Sequence, residues 1–146
     1  MHILDTFDPG NQTGVARFEN ARLVYSDVLR FEALIRMPPM WETTPLGYQH
    51  ETVIEIPKVY RVEHQKGDQE DIVGLAIKAG RIAERHGSRT GFLGVEPRTW
   101  KGQRPKKVTK NRAKEVLGPF ELCLIKSEDH NLWDAIAIGL WRLGRT

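Results

Sequence analysis

The sequence has few of the features that would place it at once in an exported or membrane class. It has one cysteine, Cys123, so no intramolecular disulfide can form. Its apolar runs are short, and none approaches the roughly 20 residues of a membrane-spanning helix. The first residues, 1–5, lack the basic region that opens a secretory signal peptide. These absences favour a reducing cytoplasm and no membrane partner, and Leu122 and Leu124 predict that Cys123 is a small core residue.

Acidic residues are missing from one segment of the chain. Residues 98–114 contain eight lysines and arginines and no aspartate or glutamate. The other 14 basic residues stand against 19 acidic ones, so the rest of the chain carries a net charge of −5. Such a segment is typical of a surface that binds a phosphate polymer, because neutralised phosphates release condensed counterions. A solvated surface loop is the alternative.

The apolar pattern predicts an α/β fold. A chain of 146 residues with 40% apolar content fits one domain, residues 1–146. Strands are predicted over about 2–8, 14–18, 21–25, 52–57 and 91–95. Helices are predicted from an N-cap at Asp68 to about Arg85, and over about 108–117 and 131–143.

Three further segments are marked by their composition. Prolines at 38, 39 and 45 predict an extended loop over 37–49. Gly74 and Gly80 lie inside a predicted helix, where glycine is a poor helix former, and they predict close approach to a neighbouring element. Residues 119–126 fit either a strand or a helix.

Three acidic residues stand where an unpaired charge is costly. Asp8 ends the first strand, Glu55 lies within a β-branched run, and Asp134 opens the apolar part of the last helix. If the first and fourth strands pair and the helix docks over them, the three carboxylates meet. Their repulsion calls for divalent cations, and oxygen ligands favour Mg²⁺ or Mn²⁺. Two such ions, about 3.5 to 4 Å apart, support phosphodiester hydrolysis.

Each of these residues has a plainer interpretation. Asp8-Pro9-Gly10 is also an ordinary turn, and Asp134 alone fits an exposed helix position. His130 and Asn131 precede Asp134 by four and three residues, so they share its helical face. His130 there fits either a hydrogen-bonding role or a metal or acid–base role. Asp129 shares that face only if it lies before the helix begins.

These residues, taken in order, resemble the RuvC-type Holliday junction resolvases of the RNase H-like nuclease superfamily. Phe7-Asp8-Pro9-Gly10 with Thr13-Gly14 looks like the family's opening strand and turn, and Val53-Ile54-Glu55 is similar to its central glutamate strand. The small-residue helix around 75–83, the basic segment from Arg98 and the final helix from Trp133 to Ile138 complete the pattern. Asp-Pro-Gly alone is not diagnostic, since it also opens actin-like ATPase domains.

The resemblance implies an RNase H-like five-stranded mixed sheet in the order 3-2-1-4-5, flanked by helices. It also implies a homodimer that cuts paired strands of a four-way DNA junction with magnesium, two ions in each site. Asp8, Glu55 and Asp134 would be catalytic metal ligands. Asn131 stands where the family often has a further ligand, so the predicted fourth residue is catalytic His130 or metal-binding Asp129.

The basic segment would hold the DNA backbone through six of its residues. They are Arg98, Lys101, Arg104, Lys106, Lys107 and Lys110. Trp100, or Met40 and Trp41 of the 37–49 loop, would stack on opened bases, although Trp100 fits the core equally well. At 37–49 this chain has a proline-rich stretch where cellular resolvases of the family carry a regular helix. This difference suits a phage-type relative, so we expect the protein in the cytoplasm of a bacterial or phage-infected cell. A relaxed flap, branched-DNA or RNase H-like nuclease and a catalytically silent DNA-binding module are the alternatives.

Overall fold

A five-stranded mixed sheet forms the centre of the fold. The structure is a computed structural model that describes residues 1–58 and 69–146. Its strands are β1 (His2–Asp8), β2 (Gln12–Glu19), β3 (Arg22–Arg30), β4 (Gln49–Glu55) and β5 (Leu93–Val95). β1, β2 and β3 pair antiparallel, β4 runs parallel to β1, and β5 runs parallel to β4. The order β3-β2-β1-β4-β5 confirms the predicted topology.

Helices flank this sheet. Within the described residues they are α1 (Phe31–Arg36), α2 (Gln69–His86), α3 (Pro97–Trp100), α4 (Lys106–Val116), α5 (Pro119–Cys123) and α6 (His130–Arg142). The pattern predicts α2, α4 and α6 but neither α1 nor α3. In the ambiguous segment 119–126, the first five residues form the helix α5 and the last three are in neither a helix nor a strand. The proline-rich loop contains a 3₁₀ turn, Met40–Thr43. The predicted N-cap Asp68 lies outside the described residues.

α6 packs tightly on one face of the sheet. Nine consecutive residues, 132–140, are buried, so this helix is covered on all sides. The Thr6 hydroxyl donates to the backbone oxygen of Ala135 at 2.7 Å, which ties β1 to the helix. A Cβ at Gly14 would lie 1.9 Å from the backbone oxygen of Asn131. Glycine at that position therefore lets the start of α6 approach β2.

The opposite face of the sheet carries α1 and α2. Its core side chains are Phe7, Val15, Phe31, Leu34, Ile54, Ala79 and Ile82. His86, at the end of α2, is fully buried and donates from Nε2 to the backbone oxygen of Leu34 at 2.6 Å. Its Nδ1 accepts from the Met40 backbone N–H at 3.3 Å. This one imidazole joins α2 to α1 and to the 3₁₀ turn.

The β2–β3 hairpin closes with a strained two-residue turn. Asn20 and Ala21 both have positive φ, 48° and 68°. Two central residues with positive φ give the type I′ turn that matches strand twist. Asparagine tolerates this conformation, whereas alanine does not adopt it readily. The Arg145 guanidinium, which donates to the Ala21 backbone oxygen at 2.7 Å, helps to hold the turn.

Two sequence-based predictions are wrong. Gly74 and Gly80 were expected at a close approach, but a Cβ at either would meet no described atom within 4 Å. Cys123 was expected in the core, but it is exposed because α5 is a short surface helix whose Leu122 and Leu124 are also partly exposed. Across the described ranges, no helix combines the length and apolarity that crossing a membrane demands.

Candidate active site

Asp8 and Glu55 lie side by side where two neighbouring strands end. The parallel register pairs Thr6 with Val53 and Phe7 with Ile54, so its continuation sets Asp8 beside Glu55. Side chains alternate along a strand, and both carboxylates therefore point to the face covered by α6. Asp8 is only 5% exposed. The predicted pairing of the first and fourth strands is thus confirmed.

Asp134 joins this pair from the first turns of α6. It is 5% exposed, and its charge raises the pKa of both Asp8 and Glu55. The helix places it there because Leu132, Trp133 and Ile136 bury the surrounding surface against the sheet. Three acidic side chains from β1, β4 and α6 therefore interact at one end of the sheet, as the sequence predicted.

The three carboxyl groups are all harder to ionise than usual. Burial raises the pKa of Asp8 well above its ordinary value, and the charges of Glu55 and Asp134 raise it further. Burial also raises the pKa of Glu55 and of Asp134. Because burial and both neighbouring charges act on it, Asp8 holds its proton more tightly than an ordinary carboxyl group. A cation among the three carboxyl groups would relieve the repulsion between their charges.

Two residues of the basic segment contact this acidic cluster directly. The Trp100 indole Nε1 donates to Glu55 Oε2 at 2.7 Å, and Trp100 is 2% exposed. Lys101 Nζ lies 3.6 Å from Asp134 Oδ2. Trp100 therefore does not present a face for stacking on bases. A carboxylate partner of this kind leaves no periodic signal in the sequence. Only the position of Trp100 within the basic segment 98–114 pointed to a place near the site.

As the side chains stand, the cluster is not a closed coordination shell. No group of three histidine, cysteine, aspartate or glutamate side chains in residues 1–58 and 69–146 is arranged to hold a metal ion. The ammonium group of Lys101 provides the positive charge beside Asp134. The donor chemistry nevertheless suits Mg²⁺ or Mn²⁺, because the buried oxygens repel one another and lack sufficient countercharge.

Solved structures match the chain over nearly its whole length. A structure of Thermus thermophilus RuvC in complex with Holliday junction substrate has a TM-score of 0.58 and 17% identity, covering 98% of this chain and 96% of that one. Another Thermus thermophilus RuvC structure has a TM-score of 0.54 and 16% identity, covering 98% and 97%. The chain has a RuvC-like fold. No family model or curated protein matches its sequence.

Within this RuvC-like fold, the three candidates for a fourth site residue have different surroundings. Asp129 is the N-cap of α6, and its Oδ1 accepts from the Asn131 backbone N–H at 2.8 Å. The Asn131 amide donates to the Gln12 backbone oxygen at 2.7 Å. His130 is exposed, and its charge lowers the pKa of Asp134. Asp129 and Asn131 thus have structural partners, while His130 interacts with the cluster.

The six predicted DNA-binding residues also divide by their contacts. Arg98, Lys106 and Lys107 are exposed, and the Lys106 charge acts on Asp134. Lys101 contacts Asp134, and Lys110 pairs with Glu128. Arg104 donates to the backbone oxygens of Lys101 and Trp100, at 2.9 and 3.0 Å. The basic segment of this RuvC-like fold therefore begins at the carboxylate cluster and leads from it onto the surface.

Proposed function

We propose that this chain is a metal-dependent, structure-selective DNA endonuclease that resolves four-way junctions by paired phosphodiester hydrolysis. One observation carries the proposal: the carboxylates of Asp8, Glu55 and Asp134, two of them buried, interact at the end of the sheet in a RuvC-like fold. The junction substrate of the Thermus thermophilus neighbour supports branched DNA as the partner. The basic segment beside the cluster supports the same class of substrate.

Asp8, Glu55 and Asp134 would hold Mg²⁺ or Mn²⁺, two ions in each site. When bound, the ions supply an activated water and stabilise the leaving oxygen of the phosphodiester. Metal binding requires ionised carboxylates, and burial raises the pKa of all three groups, so binding becomes stronger as pH rises. Trp100 orients one Glu55 oxygen. His130 is favoured over Asp129 as the fourth residue, because Asp129 caps α6.

Lys101 would also take part in metal and substrate binding. Its ammonium group beside Asp134 offsets negative charge in the absence of metal. An ammonium is a compact charge on a flexible stem, so it is free to move to a DNA phosphate when a metal ion takes over Asp134. The residue would then couple substrate contact to metal occupancy of the same carboxylate.

The proposed enzyme is a homodimer, which places two cutting sites on one junction. Val73 and Ile77 of α2 are each 58% exposed, and they lie four residues apart on one helical face. An exposed apolar face supports contact between two copies of the helix.

The decisive experiment uses a synthetic four-way junction, purified protein and Mg²⁺. Paired, symmetric nicks are expected from the unaltered chain. Asp8→Asn and Glu55→Gln should bind the junction but leave it uncut, whereas Glu32→Gln, a matched change at an exposed position on α1, should cut normally. Equal cutting of simple flaps would show a relaxed nuclease instead.

A catalytically silent DNA-binding module is the second candidate. It is favoured by the absence of a preformed three-ligand group among the described residues and by Lys101 beside Asp134. Junction binding with no cutting in either Mg²⁺ or Mn²⁺ would establish this reading and overturn the nuclease proposal.

The DNA-binding surface has its own test. Replacing Lys106 and Lys107 together by alanine should weaken junction binding and reduce the slope of log K against log salt by about two. Lys126→Ala, at an exposed lysine outside the basic segment, is the matched control. An unchanged slope in the double variant would show that the DNA contacts another surface of the protein.

A further inference from the structure

A cavity of about 670 Å³ lies at the opposite end of the sheet from the carboxylates. It is bordered by His2 at the start of β1 and by residues 49–52 at the start of β4, whereas Asp8 and Glu55 end those strands. Six steps along a strand span about 20 Å at roughly 3.3 Å per residue. The cavity is therefore a separate site, and its size is typical of pockets that hold small organic ligands.

Aromatic side chains and one arginine give this cavity its first chemical feature. Trp41, Tyr48 and Phe92 line it, and Phe92 is 52% exposed. The Arg89 guanidinium carbon lies 4.9 Å from the centre of a Trp41 ring. Stacking uses the face of the guanidinium and leaves its N–H edges available to an anion. The walls thus combine surfaces for a planar ring with a donor for a negative group.

Unpaired polar atoms give the second feature. Two of the three buried side-chain atoms without a hydrogen-bond partner in the described residues belong to this lining: His50 Nδ1 and Thr44 Oγ1. The His50 side chain is 7% exposed, and its Nε2 donates to Asp5 Oδ2 at 2.7 Å. Buried polar atoms without partners are uncommon and call for an explanation.

The partner of His50 is held rigidly in turn. The Arg17 guanidinium donates to both oxygens of Asp5, at 2.7 and 2.8 Å, and Asp5 is fully buried. Arg17 also donates to the Met40 backbone oxygen at 2.8 Å, next to Trp41. This network fixes the orientation of the His50 ring and joins it to the aromatic wall. The cavity is therefore lined by an imidazole that is held in place before any ligand binds.

We propose that this cavity binds a nucleotide, with the base between the aromatic side chains and the phosphate at Arg89. A nucleobase offers a flat ring for Trp41 and Tyr48 and polar edge groups for the unpaired His50 Nδ1 and Thr44 Oγ1, and the phosphate of the nucleotide matches the guanidinium edge. A free mononucleotide and the terminal nucleotide of a DNA strand share this chemistry. The site is independent of the carboxylate cluster and of the nuclease proposal.

The test measures binding of deoxynucleoside monophosphates in EDTA, by calorimetry and by protein chemical-shift changes. Millimolar or tighter binding is expected, with shifts at residues 41–52 and 88–93. Trp41→Leu should weaken binding by about tenfold or more, the size expected of one base stack. Arg89→Ala, which removes the phosphate contact, should also weaken binding by about tenfold or more. Trp41→Phe, which keeps a ring, should weaken it less, and Arg36→Ala is the control for an exposed arginine. Asp8→Asn should leave binding unchanged.

Two further ligands separate the sources and the chemistry. A 5′-phosphorylated single strand that binds as well as the monophosphate identifies a strand end as the occupant, whereas weak binding of that strand identifies a free nucleotide. Abasic deoxyribose phosphate should bind at least about tenfold more weakly than a nucleotide. Equal binding of the abasic compound, shifts confined to the carboxylate end of the sheet, or no binding at millimolar concentration would each overturn the proposal.

Discussion

Replacing Glu121 by glutamine should destabilise the protein strongly at neutral pH and weakly in acid. Glu121 is 9% exposed and accepts four hydrogen bonds. Arg145 donates to its two oxygens at 2.7 and 2.9 Å, and the backbone N–H groups of Leu23 and Gly118 donate at 2.8 Å each. This one carboxylate therefore joins α5 to the start of β3 and to the end of the chain.

The size of the effect follows from the pKa of this group. Hydrogen bonding by Arg145 is the main reason that the pKa of Glu121 falls from 4.5 to about 2. At about 1.4 kcal/mol for each pKa unit, the ionised form contributes about 3 kcal/mol to the free energy of unfolding. The pKa is lowered on folding, so this contribution is present above about pH 4.5 and is lost as pH falls towards 2.

Urea unfolding followed by tryptophan fluorescence at pH 7, 5 and 3 measures this directly. Glu121→Gln should lower the free energy of unfolding by about 3 kcal/mol at pH 7 and by clearly less at pH 3. The midpoint of thermal unfolding should fall by roughly 6 to 12 °C at pH 7. Glu115→Gln, at an exposed position of α4, serves as the control. A difference that stays constant from pH 7 to pH 3 would refute the reasoning.

The remaining predictions concern the carboxylate cluster and the packing of α6. Asp8→Asn should stabilise the metal-free protein at pH 7. The pKa of Asp8 is raised on folding, so the stability linked to its protonated form is lost as pH rises through that pKa. Thermal unfolding in EDTA should therefore show a gain at pH 7 and a smaller gain at pH 4, and no gain at pH 7 would contradict the prediction. Trp100→Phe removes the indole donor whose hydrogen bond lowers the pKa of Glu55. Calorimetry should therefore show weaker Mn²⁺ binding, with its pH dependence moved to higher pH. An unchanged titration would exclude a positioning role for Trp100. Gly139→Ala places a Cβ 2.1 Å from the Phe18 ring and should lower the free energy of unfolding by about 1 to 3 kcal/mol. Gly80→Ala, in open space on α2, should raise it by up to about 1 kcal/mol. Equal effects of the two variants in urea unfolding would refute the packing argument.

The sheet was predictable because its strands carry their own signals. β1 is bounded by the Pro9-Gly10 turn, and Val53 and Ile54 give β4 a buried β-branched centre. Strand order followed from the resemblance and not from the pattern. α1 escaped prediction because it has only six residues, 31–36, directly after a strand, and its stability comes from packing against α2.

The carboxylates of the candidate site were predictable, but their neighbours were not. Asp8, Glu55 and Asp134 stand out because each interrupts an apolar segment. Trp100 reaches Glu55 only because the short helix α3 turns the chain back towards β4, and a four-residue helix leaves no periodicity to read. Gly80 misled because glycine in a helix usually marks a packing contact, whereas here the helix face is open.

The site also draws its parts from distant points in the chain, which sets the order in which synthesis can complete it. Asp8 and Asp134 are 126 positions apart, with Glu55 between them. At about 5 to 20 residues per second, a ribosome needs roughly 6 to 25 s to pass from the first to the last. During that interval the nascent chain holds at most two of the three carboxylates and lacks the helix that covers them. The cluster therefore cannot form before the last of its three elements, α6, has been synthesised.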